Sequence, residues 1–343
     1  MTSSPQIVLS ASRRTDIPAF YMQWFMDGIR AGQFEVVNPY NRRHFMVPAT
    51  ADRVHTIVFW SKNFGPFIEG GFGPELVRQG YHLFFNFTVN SQNRRLEPGV
   101  PALAKRLGQL EHLSRQYDPN SIVWRFDPIC FYQAAAKPAG DNLSDFTTIA
   151  DAAAAAGIRR CITSFMDHYP KITRRTAALK GFSFIDPPLA AKVDILLGLA
   201  AALKQRRIRL QTCCEREVLA ALPPDSGIAA ASCIPNDLLM TLFGGALSLR
   251  KDPGQRRRAG CGCMTSVDIG SYELHPCYHN CLFCYANPSH SLHPEWGDPQ
   301  GSGQSRNEAK GDHITGPAQL DRMPETRDNA PEPSGMLKRP LGK

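Results

Sequence analysis

The chain has 343 residues, 43% of them hydrophobic, with ten cysteines and a formal net charge of +8, which allows one large core or two small ones. No apolar run approaches the roughly 18 residues of a membrane span. The opening MTSSPQIVLSASRRTD lacks the charged-then-apolar pattern of a secretory signal, so a soluble cytoplasmic protein without a membrane partner is expected. Thiols in that compartment stay reduced, so clustered cysteines read as metal ligands and isolated ones as small core residues.

In chain order, short apolar runs rich in β-branched and aromatic residues predict buried strands at 7–12 (IVLSAS), 55–60 (HTIVFW), 82–89 (HLFFNFTV), 121–126 (SIVWRF), 159–165 (RRCITSF) and 207–213 (RIRLQTC). The stretch 34–47, FEVVNPYNRRHFMV, predicts a hairpin. Helical stripes lie between: Val100, Leu103, Leu107, Leu110, Leu113 and Tyr117; then Leu143, Phe146, Ile149 and Ala153; then Leu189, Val193, Leu197 and Ala200. Alternating strand and helix argues for an α/β fold with a parallel sheet. No GxGxxG or Walker turn follows any strand, which favours a TIM-like parallel (β/α) barrel, incomplete or permuted, over residues 1–250. A charged link, RKDPGQRRR, opens a Cys-rich segment at 251–290 that holds a further strand candidate, SVDIGSY (266–272). From 291 to 343, 18 of 53 residues are Gly, Pro or Ser and the single aromatic is Trp296, which predicts a disordered tail. That tail holds 7 Lys and Arg against 8 Asp and Glu, leaving 32 against 23 in the rest. The excess permits an anionic partner such as a nucleotide or nucleic acid, and a merely basic surface accounts for it as well.

In such barrels the chemistry sits at the carboxyl ends of the strands. The residues there are Ser12, Arg13, Arg14 and Asp16; Ser61, Lys62 and Asn63; Thr88 and Asn90; Arg125 and Asp127; Ser164, Asp167 and His168; Thr212, Cys213, Cys214 and Glu215. Arg13, Arg14, Asp16, Lys62, Asn63, Arg125, Asp127 and Glu215 are the candidates for a pocket that holds a cofactor or substrate by carboxylate or phosphate. Structural roles compete: an arginine closing a loop with Asp16, Asp16 as a helix N-cap before Pro18, Arg125 and Asp127 as a buried ion pair.

Cys277-x3-Cys281-x2-Cys284 puts three thiols on one short loop, with Phe283 and Tyr285 flanking the last. Three thiolates can hold three irons of a [4Fe–4S] cube and leave the fourth for a distant ligand or a small molecule. Zinc is the alternative, with His275 and His279 completing a tetrahedral set. Cys261 and Cys263, with Cys213 or Cys214 and Cys233, could hold a second cluster or a structural zinc. The rival reading makes Cys213, Cys214 and Cys233 core residues and one of the Cys261–Cys263 pair a fourth ligand. Cys130 and Cys161 read as packing residues.

The CxxxCxxC spacing with an aromatic before the third cysteine resembles the cluster loop of radical S-adenosylmethionine (SAM) enzymes. CYHNCLFCYANP is most similar to the spore photoproduct lyase and DNA-repair-photolyase-like branch. The resemblance implies a [4Fe–4S] cluster whose unique iron chelates SAM. An electron donor such as a ferredoxin or flavodoxin then drives cleavage to methionine and a 5′-deoxyadenosyl radical, which abstracts hydrogen from the substrate. Over residues 7 to 287, SASRRTDIPAFY, VFWSKN, WRFDP, CCE, CGC with DIGSY, and CYHNCLFCYAN together resemble the uncharacterised bacterial family DUF1848. Asn280 stands where that family's usual glycine is expected, and asparagine tolerates left-handed geometry. Two departures stand out. The cysteine loop comes last rather than after the first strand, and no Gly-Gly-Glu segment follows to bind the SAM amino group, FGGAL at 243–247 being misplaced. A strand at SVDIGSY leading into the loop would make the barrel permuted in sequence and similar in space. A non-SAM iron–sulfur protein for electron transfer or redox sensing, and a zinc-stabilised nucleic-acid-binding module, are the alternative functions.

Overall fold

A computed structural model describes residues 6–38, 41–134, 138–256 and 259–287. They fall within one compact unit, Met1–Gly297, and the expected disordered tail at 291–343 lies outside the described residues. The main sheet has eight strands: β1 (Ile7–Ala11), β2 (Val54–Ser61), β3 (His82–Thr88), β4 (Ile122–Ile129), β5 (Arg160–Phe165), β6 (Arg209–Thr212), β7 (Ala229–Ala230) and β8 (Val267–Asp268). Their order is β7-β6-β5-β4-β3-β2-β1-β8, and every neighbouring pair is parallel. All six expected strands are present, and SVDIGSY contributes β8. The expected barrel closure is not shown. β7 and β8 end the order and do not pair with each other among the described residues. At two residues each, they offer few ladder groups for such a seam.

Alternate residues along each strand face opposite sides. Leu9, Ile57, Phe59, Phe85, Phe87, Trp124 and Phe126 point to one side and form the large core under the helices. Those helices include Met22–Ala31, Leu103–Gln116, Phe146–Ala155 and Leu189–Lys204. Trp124 is fully buried and anchors that core. On the other face Val8, Val58, Phe84, Val123 and Ile162 pack with Leu239 of the helix Asn236–Phe243. Two residues further along each strand, this second face turns polar: Ser10, Trp60, Asn86, Arg125 and Ser164. The period-two pattern thus gives the second face an apolar floor and polar or amphipathic groups at the carboxyl ends.

The hairpin is present as Gln33–Val37 paired with His44–Pro48. A small antiparallel sheet of Phe131–Ala134, Gly140–Asp141 and Phe182–Ile185 has no counterpart among the expected elements. Tyr132 stacks on Phe182 there, and this side packs against the apolar cluster that holds the cysteine loop.

Beside its short ladder, β8 is tied to β1 by one side chain. Asp268 accepts hydrogen bonds from Ser12 Oγ at 2.6 Å, the Arg13 amide at 2.7 Å and Ser10 Oγ at 3.1 Å. Arg14 completes the set, its Nη1 donating to the Gly270 carbonyl and its Nε 3.8 Å from Asp268. A carboxylate so supplied offsets the short ladder of a two-residue strand. No helix among the described residues is long and apolar enough to cross a membrane.

Candidate functional site

A cavity of about 600 Å³ opens where the strands end. Lining groups come from the carboxyl end of β1 (Arg13), β2 (Trp60, Lys62), β3 (Thr88), β4 (Arg125, Asp127), β5 (Ser164) and β6 (Cys213, Cys214), and from the segment after β7 (Cys233). The loop after β8 adds Cys277, Cys281 and Cys284, and the turn before β8 adds Cys261 and Cys263. Eight of the ten cysteines therefore face one space, and all ten are free thiols. Cys161 lies in the main core and Cys130 in the apolar cluster beneath the loop, as expected of packing residues.

The loop 277–284 is shaped by its neighbours. Asn280 has φ of 53°, the left-handed conformation that the sequence anticipates. Gly99 lets the loop backbone come close, because a Cβ there would sit 2.5 Å from the Tyr278 carbonyl oxygen. The helix Pro170–Thr176 takes up the loop's carbonyls. Arg175 donates to Leu282 O at 2.8 Å, Cys284 O at 3.0 Å and Asn287 O at 3.1 Å, and Lys171 donates to Tyr285 O at 3.1 Å. Replacing Arg175 by methionine is expected to cost about 1.5–3 kcal/mol of local stability, since charged hydrogen bonds are lost from half-buried carbonyls. Amide hydrogen exchange across 281–287 should then speed up about tenfold or more, with global unfolding less affected.

Burial raises the pKa of each loop thiol, while Lys62 pulls in the opposite direction. Cys281 packs among Leu96, Val100, Leu282 and Phe283.

The remaining five thiols form a nest. Cys213 Sγ is 3.7 Å from Cys214 Sγ and 3.8 Å from Cys233 Sγ. Cys261 interacts with Cys213, Cys214 and Cys263, and Cys263 also with Cys233. Contact with Cys213, opposed by Cys263 and joined by burial, pushes the Cys233 thiol up to about 12. Cys261 moves the other way, because Cys213, Cys214 and Cys263 all donate towards it. Gly262 makes the turn possible, since a Cβ at that position would lie 2.3 Å from the Ala231 carbonyl oxygen. Gly262→Ala is expected to destabilise the fold by about 1–3 kcal/mol, as backbone cannot yield as a side chain does. A lowered urea midpoint with an unchanged slope is the readout.

The basic and acidic candidates separate into cavity groups and braces. Arg13 and Arg125 both lie over the Trp60 ring, 5.4 and 5.3 Å from its centroid. Arg13 Nη2 donates to Ser266 Oγ, and its buried Nε has no partner. Arg125 pairs with Asp127, as one structural alternative anticipates, and also donates to Cys233 Sγ. Burial opposes the Arg125 charge, but Asp127 and Cys233 hold its pKa well above the ordinary value. Lys62 Nζ donates to Glu97 at 2.6 Å and lies over Phe283.

Asp16 lines the cavity, yet its carboxylate is fully used. It caps the helix Ile17–Phe20 through Ala19 N and accepts from Ser61 Oγ at 2.7 Å, Lys62 N at 2.8 Å and His279 Nε2 at 2.8 Å. It braces β1, β2 and the cysteine loop together, and neither arginine pairs with it. Arg14, Asn63 and Glu215 do not line the cavity. Arg14 secures Asp268, Asn63 accepts from Gln109 at 2.8 Å, and Glu215 accepts from the Phe165 amide at 2.7 Å. In each case the side chain turns back to satisfy local backbone or a neighbouring helix.

The two histidines of the zinc alternative sit differently: His279 lines the cavity and His275 does not. The two ring nitrogens of His279 are engaged by Asp16 and the Gly99 carbonyl. His275 packs 4.0 Å from the Trp24 ring, outside the cavity. Among the described residues, no three His, Cys, Asp or Glu side chains stand grouped so as to hold a metal ion. Sequence reasoning missed Glu97, Arg175, Trp60 and Arg256, the last of which lines the cavity and pairs with Asp167. Only Trp60 carried a signal, as a large aromatic at the end of a strand.

Fold and site together define an α/β protein with a parallel sheet and a thiol-lined cavity at the strands' carboxyl ends. The chain belongs to the family described as a domain of unknown function, DUF1848, whose model matches residues 8–286. The match runs from β1 to the end of the cysteine loop. No curated protein matches the chain.

Proposed function

We propose that this DUF1848 protein is a radical SAM-like enzyme that holds a [4Fe–4S] cluster on Cys277, Cys281 and Cys284. The observation that carries the reading is that these three sulfurs, all from one loop, face a single cavity at the carboxyl ends of parallel strands. The donor set fits the cluster. Three thiols supply three corners, and the positive charges of Lys62 and Arg175 lie within reach of Cys281 and Cys284 to offset an anionic centre. When bound, the cluster would pass one electron from a ferredoxin- or flavodoxin-type donor to SAM, giving methionine and, after hydrogen transfer from substrate, 5′-deoxyadenosine.

The chain's own groups would bind and orient. Arg13, with its unpartnered Nε, is the cation available to a carboxylate, while Arg125 is already paired with Asp127. Trp60 offers an apolar surface beside them. Asp16 would hold the loop in place through His279 rather than touch the ligand. We read the sheet as a permuted (β/α) barrel in which β8 occupies the position of a first strand, beside β1 and directly before the loop.

Anaerobic reconstitution with iron and sulfide, then reduction in the presence of SAM, tests the reading. Brown protein that releases 5′-deoxyadenosine supports it. A chain that takes up no iron and sulfide overturns it. A loaded chain that leaves SAM intact overturns it in favour of an electron-transfer or redox-sensing protein.

A further inference from the structure

We propose that Cys213, Cys233, Cys261 and Cys263, with Cys214 at their edge, form a second metal site on the wall of the same cavity, holding one thiolate-bound ion, zinc or ferrous iron. The site is independent of the cluster loop. Three separate stretches of chain deliver its donors: the end of β6, the segment after β7, and the turn before β8. Each is shaped to bring sulfur inward. Cys214 has φ of 65°, turning the chain sharply after Cys213. Gly262 lies against Ala231 O, where any side chain would clash, so Cys261 and Cys263 flank a forced close approach.

The spacing favours a single ion. Four sulfurs at about 2.3 Å from a tetrahedral metal stand about 3.8 Å from one another. Within the set, Cys213 keeps 3.8 Å to Cys233, and the edge thiol Cys214 lies 3.7 Å from Cys213. An iron–sulfur cube spreads its ligand sulfurs over the outer corners, wider than this. The described side chains do not yet enclose one point, so binding requires at least one thiol to rotate about its Cα–Cβ bond. Cys214 and Cys261 are half-buried and border the cavity, which gives them the room.

The surroundings match an anionic centre. Arg125 donates to Cys233 Sγ. Arg13 lies within electrostatic reach of Cys263 and Cys233, and Arg256 of Cys214 and Cys213. Carboxylates already answer part of this charge, Asp127 for Arg125 and Asp167 for Arg256, yet all three guanidinium groups also bear on the thiols. Around four thiolates and a divalent ion, which together carry two negative charges, they compensate. An all-sulfur donor set selects zinc or iron over harder ions.

The test uses the full chain with Cys277, Cys281 and Cys284 replaced by serine, which removes the loop's ligands and leaves the nest intact. The expected result is about one zinc or iron per chain without acid-labile sulfide. Metal-edge X-ray absorption should show sulfur at about 2.3 Å. Adding Cys233→Ser and Cys263→Ser should remove the metal. If that variant fails to fold, the absorption measurement on the first variant decides by itself. No bound metal, nitrogen and oxygen ligands only, or iron accompanied by equal sulfide would each overturn the proposal. Failure here leaves 5′-deoxyadenosine formation by the unmodified chain unaffected, so the two readings fall separately.

Discussion

A Cys281→Ala chain is expected to lose iron from the 277–284 loop and to form no more 5′-deoxyadenosine than protein-free controls. On the proposed ligation, removing one of three ligands from a cluster with an open corner would leave two thiolates, too few to hold the cube against competing thiols in solution. The loss should not come from unfolding. Cys281 is a small residue within an apolar cluster, and Cys→Ala removes one atom from it, a smaller change than the Leu→Ala truncations that cost about 2–5 kcal/mol. Cys130 supplies the control. It is buried in the same cluster but does not line the cavity. Cys130→Ala should keep its iron and its activity while losing comparable stability. Iron and sulfide content, 5′-deoxyadenosine yield and urea midpoint, measured on both variants, separate ligation from packing. Equal product from the Cys281 variant and the unmodified chain would mean that this loop is not the reactive site.

Glu97→Ala is expected to lower stability by about 3–5 kcal/mol, the largest purely structural effect at the site. Glu97 is buried and accepts from Lys62 Nζ at 2.6 Å and Asn90 Nδ2 at 3.2 Å, with Cys281 Sγ 4.0 Å away. Burial alone would lower the Lys62 pKa, but Glu97, then Cys281, raises it above the ordinary 10.5. The sign follows by linkage. In the unmodified chain Lys62 contributes stability fully below pH 10.5 and loses it as pH rises through the folded value. Without Glu97 the largest charge opposing burial is gone, so the folded pKa falls and the stability that Lys62 loses at high pH shrinks. Adding Lys62→Met should restore most of the loss, because a well-packed apolar pair avoids the stranded charge. Denaturant midpoints of the two single variants and the double variant close the cycle. A double variant no more stable than Glu97→Ala would show that the cost lies in the loop rather than in the ion pair.

Much of this architecture was legible because local rules govern it. Runs such as HTIVFW and HLFFNFTV are apolar on both faces and can hardly be anything but buried strands, and β2 and β3 follow them to within a residue or two. The helical stripes through Leu110 and Leu113 and through Phe146 and Ile149 ended in the core as their spacing required. The strand-end rule located Arg13, Lys62, Arg125 and Asp127 at the cavity. Arg14, Asn63 and Glu215 do not line it, because adjacent residues in a turn point in different directions and only the surrounding chain selects which one faces inward. Glu97 sits in a loop without any motif, and Arg175 reads as one more surface cation of a basic helix until the cysteine loop is laid over it.

The amino-acid order by itself determined the strands, the helices and the three-thiol loop, since each follows from repeats of two or 3.6 residues or from spacing within a dozen positions. Tertiary structure alone decided that β8 lies beside β1, that five thiols from three distant stretches share one nest, and that Asp16 meets His279 across 263 positions. Such meetings depend on which surfaces bury together and which buried charges find partners. Those are properties of the packed chain, and no local pattern encodes them.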